Sequence, residues 1–256
     1  MQHTFTLAAW NFRLARRSLL ALWGVFAAQQ AAVILWRAAQ PGAAWLGLAS
    51  HYYATMQIFV YLGFYLLTAL AAGAATHNSR RARSGYTWAT LPGTPGQKFA
   101  AKAVTIAAAE LVFAAWQLVW YIVEFYPVTA LEGWRRRQLY GAVLPAANLY
   151  EQVVANNLFA RLLPRRPAQM VILLGILALS AAMLAALDTV RGWRKLPVFA
   201  SGLFCAWVCF GIVSIEQHLE WLLDEPRYAL RIAAAAVLAV LTVWWAVRSI
   251  RRGEAA

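Results

Sequence analysis

The chain has 256 residues, of which 62% are hydrophobic and only 13% charged, with a formal net charge of +13. Soluble domains carry roughly 45–50% apolar residues, so this composition excludes a water-soluble surface around the whole chain and points to an integral membrane protein. The basic excess does not require nucleic acid as a partner, because Lys and Arg gather in the cytoplasmic loops of membrane proteins and meet anionic headgroups there.

In the first 17 residues, Phe5, Leu7, Ala8, Trp10, Phe12 and Leu14 are interleaved with Asn11, Arg13, Arg16 and Arg17. That pattern predicts a short helix lying in the membrane interface ahead of the first crossing. A crossing takes about 20 mainly apolar residues. Six stretches approach or exceed that length: 19–36, 53–75, 103–125, 170–187, 197–215 and 229–247. Backbone groups in lipid must be satisfied within the element, so these are helices and not open strands. The chain therefore reads as all-α, a single transmembrane domain over 1–256 with six transmembrane helices.

Basic residues set the orientation. Arg13, Arg16 and Arg17 precede the first span, Arg80 to Lys102 separate the second and third, Arg191, Arg194 and Lys195 separate the fourth and fifth, and Arg248, Arg251 and Arg252 follow the sixth. All four clusters share one side if both termini are cytoplasmic, which places the chain in a cell's inner membrane as a multi-pass protein. One loop disagrees. Residues 129–169 should be external, yet they hold Arg135, Arg136, Arg137, Arg161, Arg165 and Arg166. Within that loop Tyr150, Val154, Leu158 and Leu162 recur every fourth residue, predicting an amphipathic surface helix that Pro164 ends. Indoles such as Trp36, Trp134, Trp193 and Trp244 fall near span ends, where the membrane–water interface favours them.

No catalytic, cofactor-binding or metal-binding set emerges. The four His are scattered, no HExxH or GxSxG occurs, and Gly93 to Lys98 is too short for a phosphate-binding loop and runs on into Phe99. The chain is therefore not expected to hydrolyse ATP or to act as an enzyme. Cys205 and Cys209 stand at helical spacing inside one apolar run and read as packing residues. Polar residues inside spans are costly and tend to face a bundle interior. Gln29 and Gln30 lie midway along the first span, while Glu110, Gln117 and Glu124 follow one another at seven-residue steps on one face of the third. Gln29, Gln30, Glu110 and Gln117 read either as a polar seam lining a translocation path or as interhelical hydrogen-bonding glue. Glu124 is expected at the external interface, and Asp188 in a solvated pair with Arg191.

The segment from His77 to Lys102 is basic, free of acids, and broken by Leu91-Pro92-Gly93-Thr94-Pro95-Gly96. Gly85, Tyr86, Thr87, Trp88, Leu91, Pro92, Gly93, Thr94 and Lys102, lying between spans two and three, resemble the corresponding cytoplasmic loop of type-2 ABC exporter permeases. The resemblance implies a coupling helix that docks on an ATPase subunit through Arg83, Ser84, Gly85, Tyr86, Thr87, Trp88, Leu91 and Pro92. It implies a homodimer, or a heterodimer with a similar permease, in the lipid bilayer, with substrate passing a seam formed mainly by spans one, two and five. It also implies small external helices, here at 216–223. Tyr86, Trp88 and Leu91 are anchors of the kind that dominate interfaces. The alternative from another class is an integral membrane enzyme or assembly factor of lipid metabolism, with Glu110 as acid or base.

Overall fold

The computed structural model describes residues 2–40, 42, 46–74, 90–141, 148–156, 158–159, 167–190, 192–214 and 226–252. Regular structure among them is entirely helical: α1 Gln2–Ala38, α2 Gly47–Ala54, α3 Gln57–Ala74, α4 Pro95–Tyr140, α5 Leu149–Ala155, α6 Pro167–Thr189, a 3-10 turn at Gly192–Arg194, α7 Lys195–Ser214 and α8 Pro226–Arg251. Five helical stretches are long and apolar enough to cross a membrane, within α1, α3, α4, α6 and α8. The protein is an all-helical, multi-pass membrane protein. The 20-residue α7 overlaps the remaining predicted span at 197–215 but is not among these five.

Two elements depart from expectation. The short interfacial helix is not separate: α1 runs unbroken for 37 residues, about 56 Å at 1.5 Å per residue. No Gly or Pro occurs before Gly24, so nothing interrupts the backbone ladder between the amphipathic start and the apolar run. The third span is likewise the middle of a longer helix, α4, with 46 residues, about 69 Å. Its start is set by a capping box: Gln97 N–H donates to Thr94 Oγ1 (3.3 Å), and Thr94 N–H donates to Gln97 Oε1 (2.9 Å). Pro95 follows at the first helical position, where a missing N–H costs nothing. Gly141 ends it in a left-handed conformation (φ +64°), with its N–H on the Arg137 carbonyl at 3.1 Å.

The cap gives a direct test. Thr94→Ala removes the acceptor for Gln97 and should cost about 1 kcal/mol, read as lower thermal stability in detergent. Thr94→Ser, which keeps the hydroxyl, should match the parent. Equal stability of the Ala variant would show that the box does not hold the helix start.

Two compact units divide the chain. The first comprises Met1–Arg17, Ala69–Glu110 and Val171–Ala256. Inside it the start of α1 packs on the start of α4, with Leu7, Ala8 and Ala101 buried together and Leu91 against them. The sulfur- and Ala-lined contact of α6, α7 and α8 buries Met183, Cys205, Val208 and Ala235. Small side chains let these backbones approach closely, as helix contacts in lipid require. Both cysteines are free thiols, and Cys205 is buried. At the helix flanks the Arg231 and Arg248 guanidinium groups lie over Trp207 and Trp244, 5.0 and 5.1 Å from the ring centroids.

The second unit comprises Ser18–Thr68 and Leu111–Met170. Its centre is aromatic. Phe26, fully buried, stands 5.0 Å from Phe64 and 5.2 Å from Phe113, and Tyr61 stacks on Phe113 at 5.3 Å. Such pairs add to the stabilisation from burial alone. The Trp23 indole N–H donates to Thr68 Oγ1 at 3.2 Å. The helix predicted through Tyr150, Val154, Leu158 and Leu162 is broken at Asn156: α5 has seven residues, is capped by the Asn148 side chain and leaves Tyr150 and Val154 exposed, while Leu162 and Pro164 lie outside the described residues.

Candidate functional site

Of the residues expected to dock a partner, Arg83, Ser84, Gly85, Tyr86, Thr87 and Trp88 lie outside the described residues. Leu91 and Pro92 are described. Leu91 rests on Leu7, Ala8 and Ala101. Gly93 adopts φ +147°, a conformation open to glycine and strained for other residues. It turns the chain from Leu91 into the Thr94 cap. About three turns into α4, the Thr105 hydroxyl donates to the Ala8 carbonyl at 3.3 Å and to the Ala101 carbonyl at 2.8 Å. The Leu91 break, the start of α1 and the first turns of α4 thus form one tied junction.

Lys102 extends that junction to α6. It forms a buried ion pair with Asp188, and Gly73 of α3 lies against the Asp188 carboxyl group, where an added Cβ would come within 3.1 Å. Asp188 is therefore buried and not solvated as expected. Arg191 itself lies outside the described residues. A buried ammonium needs a nearby counter-charge to offset its desolvation, and Asp188 supplies it.

The second unit holds a buried polar network that the sequence only partly announces. From α1, the Gln30 amide donates to the Tyr52 hydroxyl and to Glu124 Oε2 (2.9 Å). Tyr52, on α2, donates to the same Glu124 oxygen at 2.7 Å and accepts from Gln117 Nε2 at 3.3 Å. Burial first, and then Glu124, hold the Tyr52 hydroxyl well above the ordinary phenol range, so it remains a donor. Glu124 is buried, not interfacial as expected. The reason is that α4 continues past Phe125, and α2 covers this stretch of it.

Two turns further along α4, Glu132 has three donors. Gly47 N–H (3.1 Å) and His51 Nε2–H (2.8 Å) meet its Oε1, and the Arg136 guanidinium meets Oε2 at 3.3 Å. Gly47 takes φ +70° there, and any side chain would strike the Gln152 amide at 2.7 Å. Gln152 Oε1 in turn accepts from Ala49 N–H at 3.0 Å, and its carbonyl accepts from the Tyr121 hydroxyl at 2.8 Å. Arg135 donates to the Ala39 carbonyl. Two of the arginines that the loop-charge rule leaves unexplained are therefore engaged by protein groups.

The proposed seam residues separate by role. Gln30 and Gln117 converge on Tyr52. Gln29 is only partly buried, though its amide oxygen is shielded. Glu110 is fully buried and accepts from the Ser180 hydroxyl of α6 at 3.2 Å. Sequence reasoning missed His51, Tyr52, Glu132 and Arg136. The available signal was the four-residue step from Glu132 to Arg136, a helical ion-pair spacing. It was obscured because the apolar run ends near Phe125. Among the described residues no group of three or more His, Cys, Asp or Glu could hold a metal ion. No protein-family model matches the chain, and neither a curated protein nor a solved structure does.

Proposed function

We propose that this chain is the membrane-spanning permease subunit of an ATP-driven exporter of the type-2 ABC kind. In this reading it crosses the membrane six times, both termini are cytoplasmic, and it works as a dimer with itself or a similar permease. ATP hydrolysis is supplied by a separate cytoplasmic subunit. The observation that carries the reading is the tied junction at Leu91–Lys102. The segment with the resemblance runs directly into a residue packed on α1, a glycine turn, a capped helix start and a buried ion pair to α6.

Such a junction suits force transfer. Closure of the ATPase subunits around bound nucleotide would push on residues 84–91. Leu91 passes the push to α1 through Leu7 and Ala8, Thr94 passes it to α4, and Lys102–Asp188 passes it to α6. A capped helix would transmit displacement along its axis through its ladder of hydrogen bonds, which in α4 runs from the Thr94 cap until Pro127 interrupts it. Tyr86, Trp88 and Leu91 supply the apolar anchors, and Arg80, Arg81 and Arg83 supply charge for acids on the partner.

The test is co-purification with the ABC ATPase encoded nearest to this chain. Tagged wild-type protein should retain that subunit through purification, and the double variant Trp88→Ala/Leu91→Ala should lose it. Retention by the double variant would remove these side chains from the docking contact.

A further inference from the structure

We infer that the C-terminal end of α8 carries a binding site for the phosphodiester headgroup of an anionic phospholipid. The inference does not rest on the exporter reading. A half-open cavity of about 250 Å³ lies there, lined by Trp244, Trp245, Arg248, Ser249 and Arg252. These residues recur at three- and four-residue steps, so they share one face of the helix. Arg248 and Arg252 are exposed, whereas Ser249 is buried. The volume equals that of roughly eight liquid waters, enough for a phosphate group and the glycerol beside it.

Basic residues at the end of a span ordinarily report orientation and stay solvated. Three features here point to a ligand as well. The first is depth. Leu230–Arg251 is long and apolar enough to cross a membrane. Arg231, which lies over Trp207 near the other end, is about 26 Å along the helix from Arg248. That separation is close to the roughly 30 Å of the hydrocarbon core, so the cavity stands at headgroup level. The second is charge. The lining holds two guanidinium groups and no carboxylate, and a guanidinium presents paired N–H donors that match two phosphate oxygens. The third is the pairing of these cations with indoles. Trp244 and Trp245 give an apolar wall to the glycerol and upper acyl chain, which a free phosphate does not have. The Trp244 face is already covered by the Arg248 guanidinium, 5.1 Å from the ring centroid, so it is closed to a choline group. The site therefore suits an anionic lipid better than a choline lipid or a soluble phosphate.

Thermal unfolding of the full chain in detergent micelles tests this, with dioleoylphosphatidylglycerol, dioleoylphosphatidylcholine or glycerol phosphate added. Phosphatidylglycerol should raise the unfolding temperature saturably, and the other two should not. In Arg248→Ala the half-saturating phosphatidylglycerol concentration should rise by about tenfold or more, the loss of a charge-assisted contact. Arg248→Lys keeps the charge without the paired donors and should fall between. Arg251→Ala removes an equal charge from a side chain that does not line the cavity, and its response should match wild type. Arg248 and Arg251 are both exposed, so neither change should disturb the fold. Equal responses in wild type, Arg248→Lys and Arg248→Ala would overturn the inference. An equal loss in Arg251→Ala would overturn it too, by reducing the effect to diffuse attraction. So would an equal response to phosphatidylcholine or to glycerol phosphate, since the first needs no anionic lipid and the second no lipid at all.

Discussion

Replacing Asp188 by Ala is expected to destabilise the protein by about 3–5 kcal/mol, the usual cost of stranding one member of a buried ion pair. The Lys102 and Asp188 side chains are 4% and 10% exposed. Burial strips the Lys102 ammonium of water, the Asp188 carboxylate offsets that with an opposite charge, and Lys195 adds a like charge nearby. Removing the carboxylate leaves the ammonium with desolvation and a like charge. Thermal unfolding in detergent should show a large downward shift for Asp188→Ala. The double variant Lys102→Met/Asp188→Leu should recover most of it, since apolar groups of similar volume can replace a buried pair. An Asp188→Ala protein as stable as wild type would mean that the pair does not hold α4 to α6.

The second large effect is expected at Glu132. Glu132→Ala leaves three donors without their acceptor: the Gly47 N–H, the His51 ring and the Arg136 guanidinium. Breaking a buried ion pair together with the hydrogen bonds of Gly47 and His51 costs about 3–5 kcal/mol. Glu132→Gln should fall between Ala and wild type, because its amide oxygen can still accept from Gly47 or His51 but cannot balance Arg136. The same unfolding measurement ranks the three. If Glu132→Ala and Glu132→Gln unfold with wild type, the anchoring of α2 to α4 does not depend on this carboxylate.

The apolar cores of the helices were legible in the sequence because membrane burial is a composition signal that needs no partner. The predicted spans at 53–75, 170–187 and 229–247 fall close to Gln57–Ala74, Pro167–Thr189 and Pro226–Arg251. Helix ends were not legible in the same way. A hydropathy run stops where the lipid does, whereas a helix stops where its backbone ladder is capped. In α4 those points differ by several turns, because Thr94 and Gly141 set the ends and Ala103 and Phe125 only bound the apolar middle.

That difference also misplaced the acids. With the span ending at Phe125, Glu124 reads as interfacial and Glu132 as part of a loop. With α4 continuing to Tyr140, both are buried under α2. The pairing of Lys102 with Asp188 joins residues far apart in sequence, and no spacing rule within one helix reaches it. Gln30 and Gln117 were legible as polar groups needing partners, but their convergence on Tyr52 depends on where the short helix α2 folds. An eight-residue helix of mixed polarity has no periodic signature of its own.

The two units distribute the proposed work. In the first, Leu91, Thr94 and Lys102 tie the start of α4 to α1 and α6. In the second, Glu124 and Glu132 tie the far part of α4 to α1 and α2. Polar contacts of this kind are individually modest in membranes, which lets a bundle hold one arrangement and still change to another.

The most direct measurement of the exporter reading is ATP hydrolysis by the ABC ATPase encoded nearest to this chain, assayed in liposomes with and without it. The account predicts faster hydrolysis when the chain is present, and a fall to the level of the ATPase alone with Trp88→Ala/Leu91→Ala. Hydrolysis at the same rate with and without the chain would contradict it.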